Sequence, residues 1–553
     1  MSPFRTVRLK FYPTLTAVLL GGVTVFHLWY IGSGTMDLAY DEAYYWEWSR
    51  RLDWSYYDPD GPFVAYLIAL STRLGGHTVF FVRLPAVLLA LGTAVLAYLL
   101  TKRLFSSERA AFLAVVVSGL MPLYAVGSVL MTIDAPFVFF WALAIFALHK
   151  AVGSLQPGSL GQKTPSSSLS PKTPLGLGEA GPRTSGGPWW VLFGIALGLG
   201  FLSKYVMLLL LPCVAVYILC SPLARKWLRR KELFLALILG ALLTTPVVIW
   251  NAQHGWASVW YVLGRAGVTG GEEYLSARTF LEFVGSQFLV VSPFLFMALV
   301  FGVVRSGRLG LRAGRDEHLL LFSFSAPVFS FFLLWSLHAT VEANWAAPAY
   351  FTAAIALAGW GEELIQKSRE PKRKYTLATA FSLVLLPGFL VIAVGHFPSI
   401  LDLIGIDLRR KLDPTHRLQG WSELGQAVGR VLHERGGKEP PSVVSNRYEV
   451  ASELAFYVPG QPQVFTINLW KRPSQYYYWG GLETHEGGDL LFVVFEKDRP
   501  VGEAPPEIQG ACERIEEVEI VRTFHRGRPG YVFYIFYCSG LRAVPVRPAK
   551  ISY

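Results

Sequence analysis

Two acids stand side by side in Asp41-Glu42-Ala43-Tyr44-Tyr45-Trp46-Glu47-Trp48. The same stretch runs on through Asp53-Trp54-Ser55-Tyr56-Tyr57-Asp58-Pro59-Asp60-Gly61-Pro62. It lies between apolar runs, where ionisable groups are costly unless they are satisfied or used. A carboxylate beside an attacking hydroxyl can serve as a general base, which makes Asp41 and Glu42 candidate catalytic groups. Asp134, in Met131-Thr132-Ile133-Asp134-Ala135-Pro136, is a third. It also reads as the cap of a Pro-led helix, and the two roles are compatible. Lys204 is a lone charge inside the apolar run Trp189–Cys220. An ammonium there either snorkels to the surface or binds an anionic phosphate. Arg265 offers a guanidinium fork to the same phosphate. Tyr44, Tyr45, Trp46, Tyr57, Asp58, His254, Asn344 and Trp345 supply the flat faces and hydrogen-bonding groups that hold a sugar. The plainer reading of the first stretch is a helix anchored in the headgroup region. That accounts for its aromatics but not for its acid pair.

These residues must be positioned by membrane helices. The 553 residues are 52% hydrophobic and only 16% charged, whereas a soluble chain carries nearer a quarter charged. Apolar runs of spanning length lie near 11–31, 79–100, 110–130, 134–150, 233–250, 283–304, 318–338, 346–361 and 375–396. The run 189–220 is long enough for two short spans turning at Ser203-Lys204-Tyr205. The total is about eleven spans. The first has a basic flank like a signal peptide, but it is too long and no cleavage site follows, so it reads as a retained helix. With a cytoplasmic N-terminus, the inner loops hold Lys102-Arg103, the Arg225–Lys231 cluster, Arg305–Arg315 and Lys367–Lys374. The outer loops hold the acids. This asymmetry obeys the positive-inside rule, and it accounts for the net charge of +11 without a nucleic-acid partner.

Residues 151–188 are rich in Ser, Pro and Gly and read as a disordered cytoplasmic linker. The expected division is a membrane domain over 1–397, with a first outer loop at 32–78, and an exported α/β domain over 398–553. The four cysteines match no zinc site, and a disulfide between Cys512 and Cys538 stays open. No P-loop or Rossmann fingerprint indicates a nucleotide donor.

At these residues the chain resembles the polyprenyl-phosphate-dependent membrane glycosyltransferases of the GT-C fold. The pattern is similar to the bacterial aminoarabinose-lipid A transferases and the protein O-mannosyltransferase-related glycosyltransferase family 39. The stretches that carry it are Asp41–Trp46, Thr132–Pro136, Gly200–Tyr205, Asn251–Trp256, Asn344–Tyr350 and Ala451–Tyr457. The resemblance implies an active-centre acid at Asp41 and Asp134 facing the same cavity. It implies Lys204 and Arg265 on the lipid phosphate, and inversion by direct displacement. Related sequences often carry His-Pro-Pro after Tyr-Asp, where this chain has Pro59-Asp60-Gly61-Pro62.

The expected activity moves a sugar from a polyprenyl-phosphate donor to a lipid, protein or glycan acceptor outside the cytoplasm of a bacterium. A flippase for a lipid-linked sugar would need polar residues along a path through the bilayer. A passive scaffold would leave the outer acids and cations without a role. No cofactor is indicated with certainty. Asp41, Glu42 and Asp134 are ligand types for a divalent cation, and metal dependence stays open.

Overall fold

The computed structural model describes residues 3–58, 60–154, 186–265, 275–368, 370–403, 405, 414–436, 440–467, 473–495, 504–525 and 528–544. The expected linker falls almost wholly outside them. Among the described residues, seven helices are long and apolar enough to cross a membrane. They are Phe11–Gly32, Val79–Phe105, Asp134–Gly153, Lys231–Gln253, Pro293–Ala313, Asp316–Trp335 and Pro371–His396. Shorter apolar helices cover Phe63–Gly75, Gly187–Ser203 and Tyr205–Cys220. The helices differ in how they use their apolar surface. Asp134–Gly153 is 72% buried and forms the bundle's centre, whereas Pro371–His396 is 11% buried. Leu383, Leu386, Phe389 and Leu390 of the latter point outward, as a helix solvated by lipid chains requires.

Two apolar runs divide where hydropathy gave no warning. The run near 110–130 is two helices, Glu108–Gly119 and Pro122–Gly127. The run near 283–304 straddles a break at Ser292 (φ 85°), between Ala277–Val291 and Pro293–Ala313. Proline supplies no backbone donor and opens the following helix in both cases. The run 189–220 does break at the expected point. Gly187–Ser203 ends, Lys204 is extended, and the chain resumes through a 3₁₀ turn into Leu210–Cys220.

The tail carries a five-stranded sheet of order β2-β1-β3-β5-β4. The strands are β1 (Ser442–Ser445), β2 (Val464–Thr466), β3 (Leu490–Phe495), β4 (Cys512–His525) and β5 (Arg528–Leu541). β1 pairs in parallel with β2 and β3, while β5 pairs antiparallel with β3 and β4. Every residue of β3 is buried, the signature of a central strand covered on both faces. Cys512 and Cys538 form a disulfide.

The tail domain sits on the first loop. Trp421 N and Ser422 N, opening the helix Trp421–Arg435, donate to Asp37 at 2.9 and 3.2 Å. Leu38 N donates to the Tyr457 hydroxyl at 2.7 Å. The loop helix Tyr40–Arg50 lies against the tail helix Tyr448–Tyr457, with Trp46 meeting Phe456 edge-on at 4.9 Å. Tyr44, Tyr45, Trp46 and Trp48 are therefore buried. Their aromatics fit a headgroup anchor by sequence, but the tail domain covers them.

Candidate active site

Each acid of the first loop has a distinct fate. Glu42 is fully buried and its oxygens are spent. They accept from Arg83 Nε and Nη2 at 3.0 and 2.7 Å, from Met131 N at 2.9 Å and from Ala39 N at 2.9 Å. Arg83 also donates to the Met36 and Asp37 carbonyls. Glu42 thus ties the loop helix to the helix Val79–Phe105 and to the turn before Asp134. It positions the site, and it is not a free base.

Asp58 and Asp60 are held by tyrosines. Tyr44 donates to Asp58 at 2.8 Å and Tyr45 to Asp60 at 2.9 Å. Burial holds both phenols well above their ordinary pKa, with Asp58 and Asp60 adding to the effect, so they act as neutral donors. The Asp60 carboxyl is pushed up to about 6 by burial and by Asp58, against the opposing pull of Lys204.

Asp41 is half-buried, and its carboxylate makes no hydrogen bond among the described residues. Burial, then Asp60, Asp58, Glu449 and Glu42, push it up to about 7. A carboxyl poised there can both accept and release a proton near neutrality.

Asp134 opens its helix but does not cap it. Its two oxygens take Lys204 Nζ at 2.7 Å and Asn344 Nδ2 at 2.6 Å. The break at Lys204 makes this possible, because the extended residue forms a β-bridge with Asp60. Gly61 is required at that crossing, since a Cβ there would lie 1.8 Å from the Leu202 carbonyl oxygen. The Lys204–Asp134 ion pair is mostly buried.

The remaining candidates divide. Tyr57 N donates to Gln475 Oε1 at 2.7 Å, and the Tyr57 ring stacks on Tyr478 at 5.1 Å. His254 stacks on Trp250 at 4.0 Å, and its Nδ1 lies 2.8 Å from the Trp250 carbonyl. Trp250 in turn donates to Asp53 at 3.0 Å. His254 is thus held in an aromatic group with Trp250 and Tyr478, beside Tyr57. Trp345 rests near Phe332 at 5.9 Å. Trp46 is wholly buried, donating to His77 at 3.0 Å, and cannot face a sugar. Arg265 ends the helix Ala257–Arg265, but its side chain lies outside the described residues.

Three residues join the site that sequence reasoning did not select. Asp60 was visible as the extra acid in the departed motif. Glu449 and Gln475 come from the tail, and no local pattern connects them to Asp41 or Tyr44. The acids offered for a divalent cation do not converge. Glu42 is committed to Arg83 and Asp134 to Lys204, and among the described residues no three His, Cys, Asp or Glu side chains form a metal-ligating group.

Known proteins share this architecture. A family model described as dolichyl-phosphate-mannose-protein mannosyltransferase matches residues 59–160 and 183–250. The lipid A galacturonosyltransferase RgtD of Rhizobium johnstonii is 28% identical over 351 residues, covering 63% of this chain and 65% of that protein. An undecaprenyl phosphate-alpha-4-amino-4-deoxy-L-arabinose arabinosyl transferase of Pectobacterium atrosepticum is 25% identical, covering 59% of this chain and 53% of the relative. The chain thus aligns with less than two thirds of the length of either relative. Crystal structures of ArnT from Cupriavidus metallidurans superimpose over nearly the whole chain. The apo form gives a TM-score of 0.58 at 15% identity, covering 95% of this chain and 98% of ArnT. The form bound to undecaprenyl phosphate gives 0.57 at 14%, covering 94% and 97%. With its membrane helices, its small tail sheet and these likenesses, the chain is an integral membrane protein of the GT-C fold, similar in sequence to bacterial membrane glycosyltransferases.

Proposed function

We propose that this protein transfers a sugar from a polyprenyl-phosphate carrier to a hydroxyl or phosphate acceptor, with inversion. The observation that carries the reading is an unspent, raised-pKa carboxyl at Asp41 in the same acidic group as Asp60, which bridges to the Lys204–Asp134 pair. With a hydroxyl acceptor, Asp41 takes the proton as the oxygen attacks the anomeric carbon. The bond from that carbon to the phosphate oxygen breaks, and the phosphate leaves with both bonding electrons. Lys204 and Arg265 stabilise its growing charge. With an acceptor phosphate, already ionised, Asp41 orients the reactants instead. A cavity of about 460 Å³ supports a lipid-borne donor. Leu19, Val87, Val138, Phe351 and Phe389 line it, and Asp134 stands on its wall. The relatives' names point the same way, towards donors on undecaprenyl phosphate and acceptors such as lipid A.

The basic and acidic loops support a bacterial inner-membrane protein with a cytoplasmic N-terminus and about eleven spans. On this reading the site and the tail are extracytoplasmic, and the membrane domain ends near Phe397.

The direct test is mass spectrometry of lipids that co-purify with the detergent-solubilised protein. A polyprenyl-phosphate sugar is expected in wild type, depleted in Lys204→Ala and Arg265→Ala. A different bound lipid, indifferent to both changes, refutes the donor assignment. The pH profile gives a second test. Transfer to a hydroxyl should rise with pH through about 7 as Asp41 ionises. Asp60→Asn removes the like charge that acts most strongly on Asp41, so this acid limb should move to lower pH. An unmoved limb would assign it to another group.

A further inference from the structure

Asn344 holds one oxygen of Asp134, yet it stands on a 3₁₀ turn of only four residues, Ala343–Ala346. A turn that short has few bonds of its own, and their geometry is weaker than in an α-helix. The aim of Asn344 is therefore set by what surrounds the turn. One face of the helix Ala277–Val291 supplies that support. Thr279, Phe283 and Gln287 follow one another at intervals of four and share this face. At its start, Ser276 N donates to the Leu337 carbonyl and Thr279 Oγ1 to the Ser336 carbonyl, both at 2.7 Å. These bonds fix the segment that leads into the turn.

Gln287, two turns further along, holds the turn itself. It is 1% exposed. Its Nε2 donates to the Ala343 carbonyl at 3.3 Å, and its Oε1 accepts from the Tyr350 hydroxyl at 2.7 Å. A carbonyl can only accept, so the amide nitrogen faces Ala343 and the oxygen faces Tyr350. Nε2 also reaches Ser286 Oγ at 3.0 Å. Ala343 precedes Asn344 and Tyr350 follows it, so one side chain grips the segment from both ends. Burying an amide is costly unless its bonds are made. Joining two helices is the plainer role for it, and the Tyr350 bond alone would serve. The Ala343 bond goes further, because that carbonyl adjoins the residue that meets Asp134 at 2.6 Å. Asp134 in turn holds Lys204 at 2.7 Å.

We propose that Gln287 is a positioning residue of the transfer site. It touches neither donor nor acceptor. It fixes the turn so that Asn344 meets Asp134, and Asp134 then presents the Lys204 ammonium to the lipid phosphate. The inference rests on the transfer reading and extends its site to a helix that brings no group to the reaction.

Native mass spectrometry of the full-length protein in detergent tests it, with undecaprenyl phosphate as the probe. Gln287→Leu should bind this lipid about three- to tenfold more weakly than wild type, the worth of one hydrogen bond. Asn344→Ala should lose about tenfold or more, because its partner is charged. Gln287→Leu/Asn344→Ala should bind no more weakly than Asn344→Ala, since the turn then has no side chain left to aim. Thr352→Val is the control. It breaks an equally buried bond of the same bundle, to Ser325 at 2.7 Å, and should lower the melting temperature while leaving binding unchanged. If Gln287→Leu does not fold, Tyr350→Phe removes the hydroxyl that orients the amide and should weaken binding in the same non-additive way. Losses that multiply in the double variant overturn the positioning role, as does Gln287→Leu binding like wild type. Equal weakening by Thr352→Val also overturns it, by marking a general loosening of the bundle. Binding that Lys204→Ala leaves unchanged counts instead against the transfer reading, and the positioning role falls with it.

Discussion

Asp41→Asn is expected to lower transfer to a hydroxyl acceptor by about a hundredfold to ten-thousandfold, the usual worth of a positioned general base. The same variant should be more heat-stable than wild type at pH 8. Both effects have one cause. Burial and the charges of Asp60, Asp58, Glu449 and Glu42 make the ionised form of Asp41 unfavourable, and raise its pKa to about 7. In the unfolded chain an aspartate titrates near 4. The folded state therefore binds this proton more tightly. Its contribution to stability is fully present below the unfolded value, and is lost as pH rises through about 7. Asparagine keeps the shape and carries no charge, so it removes the penalty that wild type bears at pH 8. The melting-temperature gain should shrink towards pH 5, where wild-type Asp41 is protonated. Activity measured beside thermal melts at the two pH values separates the roles. Full activity in Asp41→Asn removes the base, and a stability gain equal at both pH values removes the electrostatic account.

Residues within one turn or one loop were legible in the sequence, and residues joined across domains were not. Asp41, Asp134, Lys204 and Asn344 stood out because charge or amide beside apolar runs is costly. Their commitments to one another did not. Lys204 read as a phosphate ligand, but its partner Asp134 is 70 positions away. Glu42 stood as a catalytic candidate beside Asp41 because its partner Arg83, 41 positions on, sits within an apolar run. Trp46 matched a lipid anchor and a sugar platform equally well by type. Only the tail helix, with Phe456 against its ring, decides otherwise. The spans were legible as lengths of apolar sequence. Their breaks, at Leu120-Met121-Pro122 and Ser292-Pro293, depend on backbone geometry that a hydropathy average does not register. The α/β class of the tail followed from β-rich segments such as Leu490–Phe495. Its strand order did not, because order is set by crossovers and not by strand composition.

Lys204→Met should damage both stability and transfer, and pairing it with Asp134→Asn should separate the two. The Lys204 side chain is 8% exposed and that of Asp134 20%, with nitrogen and oxygen 2.7 Å apart. Removing the lysine alone strands a largely buried carboxylate, which costs about 3 kcal/mol. Asn344 Nδ2, the other donor to Asp134, cannot replace a full charge. Lys204→Met is therefore expected to melt well below wild type. Lys204→Met/Asp134→Asn leaves two neutral side chains of similar size, with Asn344 still able to bond across, and should recover most of the lost melting temperature. Activity should not follow. If Lys204 meets the departing phosphate, losing that donor costs about a hundredfold to a thousandfold, and neutralising Asp134 does not restore a cation. On that account Asp134 acts before the donor arrives, holding the ammonium at the break between two helices where no backbone regularity would hold it. Recovery of transfer in the double variant would reverse the assignment. Lys204 would then be only the counter-ion that keeps Asp134 in place, and the phosphate would rest on Arg265.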